Sequence, residues 1–127
     1  MNINETFDLV NKSANEGYAS LRKLAEINLN TMDQLFGKQM EVMNLYFASA
    51  TQQAELLKQT KRVDELVSKQ AELAQELGEK LAESNKQVVE ILSNSREEYQ
   101  GWAEQNVAQA RSKMSEAAEV VKQAQAA

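Results

Sequence analysis

"NLNTMDQLFGKQMEVMNLYFASA", residues Asn28 to Ala50, decides how this chain folds. Leu29, Met32, Phe36, Met40, Met43, Phe47 and Ala50 recur in steps of three and four, and Ala54 and Leu57 continue the series. At about 100° per residue these side chains share an arc of roughly 100° on a helix. A second set, Leu24, Ile27, Leu35, Val42 and Leu45, lies beside the first. Together the two sets cover roughly 220° of the helix. Asn30, Asp33, Gln34, Gly37, Glu41, Asn44, Gln52 and Glu55 take the remainder. One neighbouring helix covers only about half of such an arc, so the stretch calls for more than one apolar partner.

The rest of the chain supports helix throughout. It has 127 residues, enough for one domain, with no Pro and only four Gly. Ala, Glu, Gln, Leu and Lys dominate, all strong helix formers. Aromatic residues make up 6%, fewer than a compact globule needs but enough for helices that each bury one stripe.

The sequence predicts an all-α fold, a long antiparallel helical hairpin assembled into a coiled-coil-like oligomer. Residues 1–17 form a short N-terminal helix and a break, with Asn4 as its N-cap and Asn15 and Gly17 ending it. The first long helix covers 18–58 and the turn 59–63, where "KQTKRVDEL" offers Thr60 or Asp64 as the next cap. An unbroken helix from Tyr18 to Gln125 would be a rod of roughly 160 Å, and folding back lets two apolar faces meet. The second helix covers 64–125, bends near Gly101 and frays in "KQAQAA". Its narrower stripe runs through Val67, Ala74, Leu77, Leu81, Val88, Ile91, Leu92, Tyr99 and Trp102, then Val107, Ala110, Met114, Ala117 and Val121. Leu77, Leu81, Val88, Leu92, Tyr99 and Trp102 are the expected packing and oligomer contacts. The 220° arc predicts a dimer to tetramer, because a monomer would expose a large continuous apolar patch.

Chemistry is sparse. Without Cys or His there is no thiolate, no Cys-type zinc site and no imidazole base. Ser and Thr residues lack an evident activating partner, and no Gly-rich phosphate loop is present. The acidic series Glu72, Glu76, Glu79 and Glu83 has one-turn spacing, which suits oxygen ligands for a hard cation. It reads instead as a solvated face with pairs such as Glu76–Lys80. No catalytic, cofactor-binding or metal-binding residue is expected, and the chain is not read as an enzyme. A net charge of −5 argues against nucleic acid or an anionic bilayer as partner. No apolar run is long enough to span a bilayer, and "MNINETFDLV" is not a secretory signal. The expected location is the cytoplasm.

Met suits surfaces that adapt to an irregular partner, and Asn28, Gln39, Gln53, Gln70, Asn85 and Ser95 interrupt the seams and let them open. Leu29, Met32, Phe36, Met40, Met43, Phe47, Ala50 and Leu57 are therefore the candidate surface-binding residues.

The order "INLNTMDQLFGKQMEVMNLYFASATQQAELLKQ", a short charged turn, then "DELVSKQAELAQELGEKLAESNKQVVEI" resembles a phasin, roughly from Ala25 to Ala103. The matching features are Asn28-Leu29-x-Thr31, Gln39 and Tyr46, Glu65-Leu66, and Gln70-Ala71-Glu72-Leu73. At the turn the family pattern has Asp-Pro where this chain has "RVDEL", and the Lys/Ala/Pro-rich tail of DNA-binding phasins is absent. The resemblance implies a protein that coats polyhydroxyalkanoate storage granules in the cytoplasm and limits their coalescence. Read from the residues alone, the same strip also suits a coiled-coil protein-binding adaptor or a holdase-like chaperone, and a secreted effector acting on another cell is a third reading.

Overall fold

The computed structural model describes residues 2–126. Two helices account for nearly all of them: α1, Ile3–Gln59, and α2, Val63–Ala126. Among the described residues there is no strand.

α1 starts earlier than the sequence suggests. The backbone N–H of Glu5 donates to Asn2 Oδ1 at 2.7 Å, so Asn2, not Asn4, is the cap. From Asn2 the third helical position is Glu5, an acid in the first turn that also suits the positive end of the helix. The expected break at Asn15 and Gly17 does not occur, and α1 is continuous from Ile3 to Gln59. One glycine inside a helix costs about 1 kcal/mol, which tertiary contacts can offset. Here Lys113 supplies such contacts on either side of Asn15: its Nζ donates to the Ser13 carbonyl at 3.3 Å and pairs with Glu16 at 3.0 Å.

Residues 60–62 join the helices without Gly or Pro, and no described residue has a positive φ. The Thr60 amide still bonds the Leu56 carbonyl at 2.9 Å, and the Leu66 amide bonds the Arg62 carbonyl at 3.0 Å. Arg62 thus stands at the cap position of α2. The Thr60 hydroxyl, one of the two expected caps, is buried and has no hydrogen-bond partner. Asp64 lies within the first turn, paired with Arg62 at 3.2 Å. α2 runs unbroken through Gly101, where an added Cβ would meet nothing within 4 Å, and on to Ala126.

Packing groups the chain into two compact units. One is Thr31–Ser93. In it Leu35, Val42, Leu45 and Leu56 of α1 are half-buried, as are Leu66, Leu73, Leu77, Leu81, Val88 and Ile91 of α2. Leu45 and Ser49 line one crevice together with Leu73 and Leu77. Lys38 Nζ donates to Gln87 Oε1 and pairs with Glu41 at 3.0 Å. Ser84 is buried, and its small side chain suits a narrow seam between helices.

The other unit is Met1–Asn30 with Asn94–Ala127. Its seam is mostly polar. Trp102 Nε1–H donates to the Ser20 carbonyl at 2.8 Å, and the Ser20 hydroxyl donates to Asn106 Oδ1. Lys12 pairs with Glu116 at 3.6 Å. The partners of α1 residues 12, 16 and 20 descend along α2, so the segments run antiparallel. Ile27 is the one buried hydrophobic residue among those described.

Little of the chain is buried. Its accessible surface is 9971 Å², against about 6,800 Å² for a compact globule of this mass.

Candidate functional site

The broad apolar arc of α1 resolves into two faces. Leu24, Ile27, Leu35, Val42 and Leu45 turn towards α2 and form the seam. The Met-Phe stripe sits about 120° around the helix from them. Leu29, Met32, Phe36, Met40, Met43, Phe47, Ala50 and Leu57 are all exposed. Phe36 and Phe47 expose 63% and 68% of their surface, where Ile27 of the seam exposes 4%. Such rings stay open to water only where nothing within the chain covers them.

Charge sharpens this division. A sector of about 120° along α1 contains Leu29, Met32, Phe36, Met43, Phe47 and Leu57, with Met40 at its edge. From Ile3 to Leu57 no Asp, Glu, Lys or Arg falls inside it, and Arg22 stands at the same edge as Met40. Ile3, Phe7, Val10, Tyr18 and Leu21 fall in the same sector and are exposed. The sequence reading did not assign these five to the surface. Their spacing carries the signal; a break at Asn15–Gly17 would cut off Ile3, Phe7 and Val10, while Tyr18 and Leu21 lie inside the expected first long helix, ahead of the stripe that begins at Leu29.

On α2 the six expected packing residues divide. Leu77, Leu81 and Val88 are half-buried in the Thr31–Ser93 seam, and Trp102 is half-buried in the other. Leu92 and Tyr99 are exposed, to 50% and 36%, and stand off the seam. Val63, Val67, Val89, Val107, Met114 and Val121 are exposed as well. A single stripe drawn through α2 merges seam residues with outward ones, because both recur at helical spacing.

Glu72, Glu76, Glu79 and Glu83 are exposed on α2, with Glu76 paired to Lys80 at 3.1 Å. Among the described residues no group of three acidic, His or Cys side chains is placed to hold a metal ion. No helix among them is long and apolar enough to cross a membrane. The arrangement suits adhesion: an uncharged exposed face on one side and solvated carboxylates on another.

The family model for phasin proteins matches residues 8–107. The chain belongs to the phasin family. This phasin is also 22% identical over 107 residues to an uncharacterized protein of Allochromatium vinosum, covering 84% of this chain and 89% of that one. No solved structure matches it. Phasins are non-enzymatic structural proteins associated with polyhydroxyalkanoate granules. The match extends past Trp102 and so takes in seam and outward residues of both helices.

Proposed function

We propose that this phasin coats polyhydroxyalkanoate granules in the cytoplasm and limits their coalescence, with the Leu29–Leu57 stripe of α1 as the adsorbing surface. One observation carries the reading: the stripe is exposed, rich in Phe and Met, and free of charge along its length. A granule is an apolar polyester body in water. Interfacial helices lie on such bodies with the apolar face down and charges outward. Each large side chain removed from water contributes about 1.5–3 kcal/mol, so a few Phe and Met residues hold the protein firmly. The chain's net charge of −5 then faces water and repels neighbouring coated granules.

Away from granules the same stripe joins copies of the chain into a dimer to tetramer, since large apolar patches rarely stay exposed on soluble proteins. Adsorption and self-association compete, and the bound fraction follows the difference between two burials. The contact is peripheral, with no integral membrane association, and involves no nucleic acid, cofactor or catalysis.

The test is co-sedimentation with poly-3-hydroxybutyrate particles, with helix content followed by circular dichroism. Changing Phe36→Ser and Phe47→Ser together weakens adsorption and self-association by about 3 kcal/mol or more. Changing Glu76→Gln and Glu83→Gln leaves adsorption nearly intact and reduces only the repulsion between coated particles. Loss of binding in the acidic variant with retention in the Phe variant would place the adsorbing face elsewhere. Binding to unfolded protein clients but not to particles would make the chain a holdase instead.

A further inference from the structure

The outward residues of α2 have no role so far. Val63, Val67, Leu92, Val107, Met114 and Val121 are each at least half exposed. They share a sector of about 100° on α2, in which Arg96 is the sole charged residue. Arg96 is exposed, and its long stem can carry the guanidinium towards water.

The position of this sector relative to the seam decides what it can do. On α1 the charge-free sector is displaced from the seam by about 120° in the direction in which the helix winds. On α2 the displacement is about 90° in the same sense. Two antiparallel helices are related by a twofold axis perpendicular to the plane containing both. That axis carries one side of the pair onto itself. Displacements of the same sense therefore bring both sectors to one side of the pair. In a parallel pair they would lie on opposite sides. Within Thr31–Ser93, Met32, Phe36, Met43 and Phe47 thus share a side with Val67 and Leu92. Within the other unit, Phe7 and Leu21 share a side with Val107 and Met114. The acidic series Glu72, Glu76, Glu79 and Glu83 is displaced from the seam in the opposite sense, with Glu41 and Glu55 of α1 beside it.

We propose that both helices contact the polyester together, and that the helix pair adsorbs with its seam closed. The inference rests on the granule-coating reading and adds α2 and the state of the seam to it. Charge matching selects the occupant: a nearly charge-free side two helices wide meets an uncharged polymer, while the carboxylates stay in water. Opening the seam would work against adsorption. It would turn Lys38 and Gln87, or Glu16 and Lys113, towards the polymer. It would also break the bonds from Trp102 to Ser20 and from Lys113 to Ser13. Desolvating charged groups without their partners is costly, and the closed pair avoids it.

The absence of Cys makes a direct test possible. Ser20→Cys with Asn106→Cys, and Lys38→Cys with Gln87→Cys, are each bridged with dibromobimane, closure is verified by mass, and binding to poly-3-hydroxybutyrate particles is compared with the unbridged protein. Bridged and unbridged forms are expected to bind within about twofold of each other. Emission from the single Trp, Trp102 in the seam, is expected to keep its wavelength on the particles. Val67→Gln, Leu92→Gln and Val107→Gln together are expected to weaken adsorption about tenfold or more, with helix content unchanged. Loss of binding on bridging, a Trp102 emission shift on adsorption, or full binding by the Gln variant overturns the closed two-helix contact while granule coating stands. A Gln variant that loses self-association but keeps adsorption assigns the α2 side to a second copy instead. Failure of the unmodified protein to bind particles overturns the contact and the granule-coating reading together.

Discussion

The seam of the Thr31–Ser93 unit and that of the unit formed by Met1–Asn30 and Asn94–Ala127 use different materials. The first meets through Leu45, Leu56, Leu73, Leu77 and Leu81, with Lys38–Gln87 as a polar insertion. The second meets through Ser20, Trp102, Asn106, Lys113 and Glu16, with Leu9, Leu24, Ile27 and Val120 as its apolar part. Apolar burial is non-directional and scales with area, so a leucine seam gives cohesion and tolerates sliding. Hydrogen bonds are directional and each adds only about 1 kcal/mol net, so a polar seam gives register more than cohesion. Neither seam draws on the Met-Phe side, and that independence leaves the side free for a partner.

The largest effect should come from the leucine seam. Leu45→Ala with Leu77→Ala removes half-buried side chains that line the same crevice. The expected loss is about 3 kcal/mol, below the range for fully buried leucines because both sites are partly wet. Hydrogen exchange should show amides within Thr31–Ser93 losing protection, while those around Ser20 and Trp102 lose less. Equal loss in both units would mean that the two seams fail as one, and the contrast drawn above would not hold.

Much of this was readable in advance, for physical reasons. Absence of Pro and an unbroken three-and-four spacing leave helix as the only regular structure for the chain. The division of labour on α1 was harder to read. Ile27 and Phe36 both lie within the 220° arc, and periodicity alone does not say which meets α2. The partner helix makes that choice, with its own line of Leu73, Leu77 and Leu81. The polar seam was invisible for a related reason. Ser13, Glu16, Ser20 and Lys113 fall at seam spacing, but a reading that follows apolar residues passes over them. Asn2 was missed as a cap because Asn4 also precedes an apolar residue at helical spacing, and only the Glu5 amide decides between them.

A smaller effect should come from the polar seam. Trp102→Phe keeps most of the aromatic bulk and removes the N–H that holds the Ser20 carbonyl. The carbonyl keeps its place in α1, so the loss should be about 1 kcal/mol, the net value of one hydrogen bond. Register should suffer more than stability. Cross-linking between positions 20 and 106 should slow while circular dichroism barely changes. A stability loss of the size seen for the leucine pair would show that Trp102 acts through packed area, and that the second seam is apolar in practice.

The smallest effect separates the sequence's picture of the N-terminal region from the structure's. Gly17 sits inside α1, has no positive φ, and has nothing within 4 Å of where a Cβ would stand. In a continuous helix Gly17→Ala narrows the unfolded ensemble and removes a poor helix former at no steric cost. It should stabilise the protein by about 0.5–1 kcal/mol, measured by denaturant midpoint. Were Gly17 instead the end of a short helix with a left-handed backbone, Ala would strain it and the sign would reverse. Gly101→Ala provides the control: it is also helical and also open, and it should give a gain of the same size. Matching gains would show that the polar seam is spanned by two uninterrupted helices. A loss at position 17 with a gain at 101 would restore the break at the N-terminal end and detach Phe7 and Val10 from the adsorbing side.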